Sequence, residues 1–153
     1  SNPLREFLAS LAMFSGLPGV ALDELAAQVE QIALAGGTPL FEQNEHSDAL
    51  YLVRFGRLSA IRREADGQVR SLGQIGPGEC VGEVGMILEG PRTASVIALR
   101  DSELLRWPRA AFERLIAQRP QPMLKLAQQA HRQSRAATDA DALLCLVAGA
   151  GRA

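Results

Sequence analysis

The stretch GEVGMILEGPRTASV, residues 82–96, joins the parts of an anion-binding loop to a group that takes hydrogen bonds from hydroxyls. Gly82 and Gly85 carry no side chain where backbone N–H groups approach an anion, and glycine admits the positive φ that turns successive N–H groups into a nest. Arg92 adds a planar guanidinium able to grip two phosphate oxygens at once, and Thr93 sets a hydroxyl beside it. An ionised Glu83 only accepts hydrogen bonds, so next to a phosphate it is repelled unless hydroxyls donate to it. A sugar phosphate satisfies both charges. The competing reading is a glycine turn followed by a surface arginine on a strand.

Outward from this stretch the chain is written in strands. From Ala33 onward, short β-like runs alternate with turn signals about every ten residues, as in an antiparallel sandwich, barrel or roll. Gly36-Gly37 and Asn44 to Asp48 read as turns. Ala49–Arg54 and Leu58–Arg63 read as a hairpin interrupted at Phe55-Gly56-Arg57. Asp66-Gly67 is the strongest short hairpin signal, joining the second of these runs to Val69–Ile75. Gly76-Pro77-Gly78 turns the chain into the anion loop. Beyond Arg92, Ala94–Leu99 has the apolarity of a buried strand, and Ser102–Trp107 forms the last one, ending in a tryptophan that needs a partner for its N–H.

Helical spacing marks both flanks. Leu4, Phe7, Leu8, Leu11 and Ala12 recur on one face until Gly16 and Pro18 end the pattern. A second helix is expected from about Leu22 to Ile32, with Leu22, Leu25, Ala26, Val29 and Ile32 on one face and Asp23 and Glu24 in its first turn. Pro108 suits the first position of a helix, with Ala111, Phe112, Leu115 and Ile116 as its apolar face. After Pro120 an alanine- and glutamine-rich helix is expected from about Pro122 to Ala137.

The row VGEVGMILEGPRTASV resembles the phosphate-binding cassette of the cyclic nucleotide-binding domains found in protein kinase regulatory subunits, catabolite activator-type regulators and gated channels. Glycine, glutamate, arginine, alanine and valine stand in register. Val81 replaces the aromatic that usually leads the motif, and Gly85 replaces an alanine, which loosens the loop at an entropic cost. The resemblance implies a fold, an α+β antiparallel β-roll, jelly-roll-like, of about eight strands with N-terminal helices and C-terminal lid helices. It also implies a ligand-binding set of Gly82, Glu83, Val84, Gly85, Arg92, Thr93 and Ala94, with Glu83 on the ribose 2′-hydroxyl and Arg92 on the cyclic phosphate. The amide of Gly85 and the hydroxyl of Thr93 complete the phosphate shell. The implied domain is 3–138, with 139–153 a linker or the truncated start of a following domain. The implied ligand is cAMP, with cGMP as the alternative because of Thr93. The implied role is a cytoplasmic regulatory module that passes binding to an effector domain through its C-terminal helices, with a homodimer through the last helix as a further expectation. The segment from Leu99 to Pro120 further resembles the regulatory segments of bacterial patatin-like and neuropathy target esterase-type phospholipases. The alternatives are the sensor half of a catabolite activator-type transcription regulator and a β-roll interaction module without a ligand.

Composition excludes several other classes. The 153 residues suit one domain of ordinary size, and 47% hydrophobic with 22% charged residues at net charge -1 is far from the basic balance of a nucleic-acid binder. Cys80 and Cys145 are far apart, which points to reduced thiols, and the sequence has no zinc spacing. No apolar run reaches the ~18 residues of a membrane helix. His46 and His131 sit among polar neighbours, Ser95 lacks a nucleophile elbow, and no metal or cofactor constellation is present, so no catalytic function is expected. The basic run from Arg114 to Ala137 reads as a solvated helix face. Ser1-Asn2 has the look of a tag remnant and carries no fold information.

Overall fold

A computed structural model describes residues 3–11, 14, 16–46, 48–81, 91–118 and 120–121. Within them run helices α1 (Pro3–Ala9) and α2 (Gly19–Gln28). Eight strands follow: β1 (Glu30–Leu34), β2 (Pro39–Phe41), β3 (Ala49–Phe55), β4 (Leu58–Arg63), β5 (Val69–Ile75), β6 (Cys80–Val81), β7 (Ser95–Ala98) and β8 (Ser102–Pro108). Helix α3 (Arg109–Gln118) comes last. The expected β-roll of about eight strands is present, divided between two antiparallel sheets in the orders β1-β8-β3-β6 and β2-β7-β4-β5.

Alternation along the central strands builds two cores. On β3, Ala49, Tyr51 and Val53 face the interior of the roll, where they meet Phe41, Leu58, Ala60, Val96 and Leu104. Leu50 and Leu52 point the other way, under the helices, and pack with Leu8, Leu25, Leu105 and Trp107. A strand buried on both faces has to be apolar at successive positions, which explains the unbroken run Ala49–Val53. Trp107 is almost wholly buried against Phe14, and its indole N–H donates to Leu25 O at 2.8 Å, the partner its burial requires.

Two expectations from the sequence are corrected. The second helix ends at Gln28, and Ile32 belongs to β1, paired with Leu104 of β8. Val29 is already extended and packs on the core beneath the helices, and the β-branched Ile32 gains more from a pleated position beside β8 than from a further helical turn. The run Ala49–Arg63 is also not a hairpin. β3 pairs with β8 and β6, whereas β4 pairs with β5 and β7, so the chain crosses between sheets at Gly56. Gly56 has φ +102°, and a Cβ there would lie 2.1 Å from Ser102 Oγ. The crossing therefore uses both the free backbone of glycine and its missing side chain. The Asp66-Gly67 hairpin forms as expected between β4 and β5. Pro108 ends β8 and α3 begins at Arg109, one residue later than expected. The side chains of Phe112, Leu115 and Ile116, and the helix expected from Pro122 to Ala137, lie outside the described residues.

Candidate functional site

The site is assembled around Arg92 at one end of the roll. Its backbone is held on both sides by the β2–β3 loop: Arg92 N donates to Glu45 O at 2.7 Å, and Arg92 O accepts from Asn44 N at 2.9 Å. Asn44 takes φ +75°, a left-handed conformation that asparagine tolerates better than most residues, and so turns the loop back toward Arg92. The side chain then runs inward. It is 4% exposed, stacked with its guanidinium carbon 4.1 Å from the centre of the Phe41 ring and 5.7 Å from that of Tyr51.

Only part of this guanidinium is satisfied. Nη2 donates to Ala49 O at 2.9 Å and approaches Asp48 Oδ1 at 3.4 Å, while Nε and Nη1 are buried with no hydrogen-bond partner. Burial lowers the Arg92 pKa, opposed by the nearby Tyr51 and Asp48. Even so, an arginine stays charged at any ordinary pH. A buried cation with two unpartnered nitrogens is costly unless something anionic completes it. A small anion at this end of the roll would supply the acceptors that Nε and Nη1 lack.

Asp48 and Arg106 extend the cluster. Arg106 stands on β8 directly between Glu30 of β1 and Tyr51 of β3, on the same face as Leu104. It donates to Glu30 Oε2 at 2.7 Å and approaches Asp48 Oδ2 at 3.4 Å. Burial alone would lower its pKa, but hydrogen bonds to Tyr51 and Glu30 outweigh that and raise it. Asp48 O in turn accepts from Arg109 N at 2.8 Å, which ties the loop that grips Arg92 to the first turn of α3.

Of the residues singled out by sequence, Arg92, Thr93 and Ala94 are brought to this end of the roll. Ala94 is buried, whereas Thr93 is exposed and its carbonyl accepts from Arg62 Nε at 3.1 Å. Gly82, Glu83, Val84 and Gly85 lie outside the described residues. Sequence reasoning missed Phe41, Asp48, Tyr51 and Arg106. Tyr51 had a usable signal, being the one aromatic on the inward alternation of Ala49–Val53. A separate open groove of about 490 Å³ on the outer side of the second sheet includes Gln43, Arg63 and Ser95. There Gln43 and Arg63 satisfy one another, Arg63 N donating to Gln43 Oε1 at 2.7 Å and Gln43 Nε2 to Arg63 O at 3.0 Å. That clamp ties the Gln43 side chain to the backbone of β4.

A β-roll closed by helices, with a half-satisfied arginine buried at one end, defines a ligand-binding domain for a small anionic molecule. Residues 31–119, more than half of the chain, match the sequence pattern of the cyclic nucleotide-binding domain, and the chain belongs to that family. It is therefore a regulatory domain, not a catalytic one. The lysophospholipase nte1 of Aspergillus oryzae is 37% identical over 92 residues, which span 60% of this chain and 6% of that protein. The cyclic AMP receptor protein of Thermus thermophilus is 36% identical over 108 residues, 71% of this chain and 50% of that protein. The crystal structure of the Thermus thermophilus catabolite activator protein superposes with a TM-score of 0.71 at 34% identity, covering 89% of this chain and 62% of that one. The chain thus spans only a small part of the lysophospholipase and half of the receptor. Among the described residues no helix is long and apolar enough to cross a membrane.

Proposed function

We propose that this domain binds cAMP in preference to cGMP and relays binding through its C-terminal helices to an effector domain. The contacts are Gly82, Glu83, Val84, Gly85, Arg92, Thr93 and Ala94. The observation that carries the reading is Arg92, 4% exposed with Nε and Nη1 unpartnered, because a cyclic phosphate supplies the acceptors that those nitrogens lack. The cAMP-binding name of a relative 36% identical over most of the chain supports the choice of base. The tie from Arg92 through Asp48 to Arg109 N supports the relay, since a change at the anion alters the loop on which α3 is seated.

Matched calorimetric titrations with cAMP and cGMP test the ligand. Tighter cGMP binding that Thr93→Ala selectively weakens would reverse the preference, whereas equal weakening of both ligands by Thr93→Ala places the hydroxyl on the phosphate. No heat with either nucleotide would leave a β-roll interaction module. The role of Glu83 has its own measurement. Glu83→Ala is expected to weaken cAMP binding and to narrow the preference for cAMP over its 2′-deoxy analogue by at least about tenfold, the worth of a lost charge-assisted hydrogen bond at the low end. An unchanged ratio removes Glu83 from the ribose.

The effector we favour is a patatin-like or neuropathy target esterase-type phospholipase, given the 37% identity to a lysophospholipase. The second reading, the sensor half of a catabolite activator-type transcription regulator, draws on the similarity to the Thermus thermophilus proteins. In either setting we propose a cytoplasmic domain, 3–138, followed at 139–153 by the connection to its effector, with self-association through the C-terminal helix.

A further inference from the structure

Asp48 is shared between two arginines. Its Oδ1 lies 3.4 Å from Arg92 Nη2 and its Oδ2 lies 3.4 Å from Arg106 Nη2. Both separations exceed the ~2.7–2.9 Å of a strong charge-assisted bond, so one carboxylate is divided between two cations and closes fully on neither. Each arginine is also anchored independently of Asp48. Arg92 Nη2 is fixed by Ala49 O at 2.9 Å, and Arg106 Nη1 by Glu30 Oε2 at 2.7 Å, with Tyr51 across from it on β3.

This division matters for an anion arriving at Arg92. A carboxylate free to close on that guanidinium competes with the anion for its N–H groups and repels the anion's charge. A cation held at the other carboxylate oxygen opposes both effects. We propose that Arg106 is a positioning residue for anion binding, which draws Asp48 away from Arg92 and so leaves Arg92 Nε and Nη1 open to the ligand. The inference rests on Arg92 being the phosphate anchor. Arg109, the other cation near Arg92, lies with its side chain 3.9 Å from Glu113 and donates its backbone N–H to Asp48 O, whereas Arg106 reaches the Asp48 carboxylate with its guanidinium.

Arg106→Met keeps an apolar stem and removes the cation. By calorimetry with cAMP it is expected to bind about three- to tenfold more weakly than the unsubstituted protein, the size of coupling found between groups in one ionic network. The same change in an Asp48→Asn background is expected to shift affinity by less than about twofold, because no carboxylate is left to be drawn away. Glu30→Gln breaks the tie between β1 and β8 without touching Asp48 and should leave affinity within about twofold. Unchanged affinity in Arg106→Met overturns the inference, as does an equal loss with and without Asp48. So does a loss in Glu30→Gln as large as that in Arg106→Met, which would assign Arg106 to strand pairing alone. A measurement without ligand separates this inference from the ligand assignment. In ¹⁵N NMR of the free protein, Arg106→Met should shift the Arg92 Nε–H signal as Asp48 closes on it, and Glu30→Gln should not. A shift in a protein that ignores cAMP would refute the ligand and keep the sharing of Asp48. Normal cAMP binding with an unmoved Arg92 signal would refute the sharing and keep the ligand.

Discussion

Arg92→Ala is expected to lower cAMP affinity by at least about tenfold while leaving the protein folded, because each charge-assisted hydrogen bond to the phosphate contributes about 1.5–3 kcal/mol. Two opposing effects keep its stability near that of the original. The substitution removes the bond to Ala49 O and the stacking on Phe41 and Tyr51, and it leaves space beside those rings. It also removes a buried charge with two unpartnered nitrogens, a burden on the ligand-free fold. Thermal melting should move by a few degrees only, and in the liganded protein the difference from the original should widen as cAMP is added, since the ligand stabilises only the form that binds it. Binding within threefold of the original would show that Arg92 is not the anchor.

Gly56→Ala is expected to be among the most damaging single changes in the domain. The added Cβ would meet Ser102 at Oγ (2.1 Å), Cβ (2.5 Å) and Cα (2.6 Å), and the last of these is strand backbone that cannot rotate away. The residue would also have to hold φ +102°, where an L side chain is strained. Backbone strain and overpacking each cost about 1–3 kcal/mol, a large share of a stability of about 5–15 kcal/mol. Ser102 cannot simply yield, because its Oγ accepts from Arg57 N at 3.2 Å and donates to Arg100 O at 2.8 Å. Urea unfolding should show a much lower midpoint. A loss below about 1 kcal/mol would contradict the way the two sheets are joined here.

The contrast between Gly56 and Gly67 shows what local sequence can and cannot convey. Gly67 follows Asp66 between two alternating strands, a turn whose chemistry is complete within four residues, and its hairpin was legible. Gly56 sits in an equally plausible interruption, yet the strands on either side go to different sheets. What decides this is Ser102, far along the chain. Ile32 was misplaced for a related reason, since its spacing continues a helical stripe and only β8 supplies the partner that makes it a strand. At the site, Arg92 was legible because the anion loop around it is written contiguously. Its supports were not. Phe41, Asp48, Tyr51 and Arg106 come from three strands and a loop, and each taken alone is an ordinary aromatic or charge.

The pairing of β1 with β8 sets a condition on how the chain acquires this fold. Glu30 meets Arg106 across 76 positions, so the first strand has no edge to rest on until the last has been made. On a ribosome, the β4–β5 hairpin can form early, but β1 and the roll interior stay open until residue 108 has emerged. Pairings this distant in sequence also bring folding toward the slow, millisecond-to-second regime of β-rich domains. During that interval the apolar faces of β3 and Ile32 are exposed to other chains, which makes a nascent or denatured molecule more prone to aggregate than the finished one.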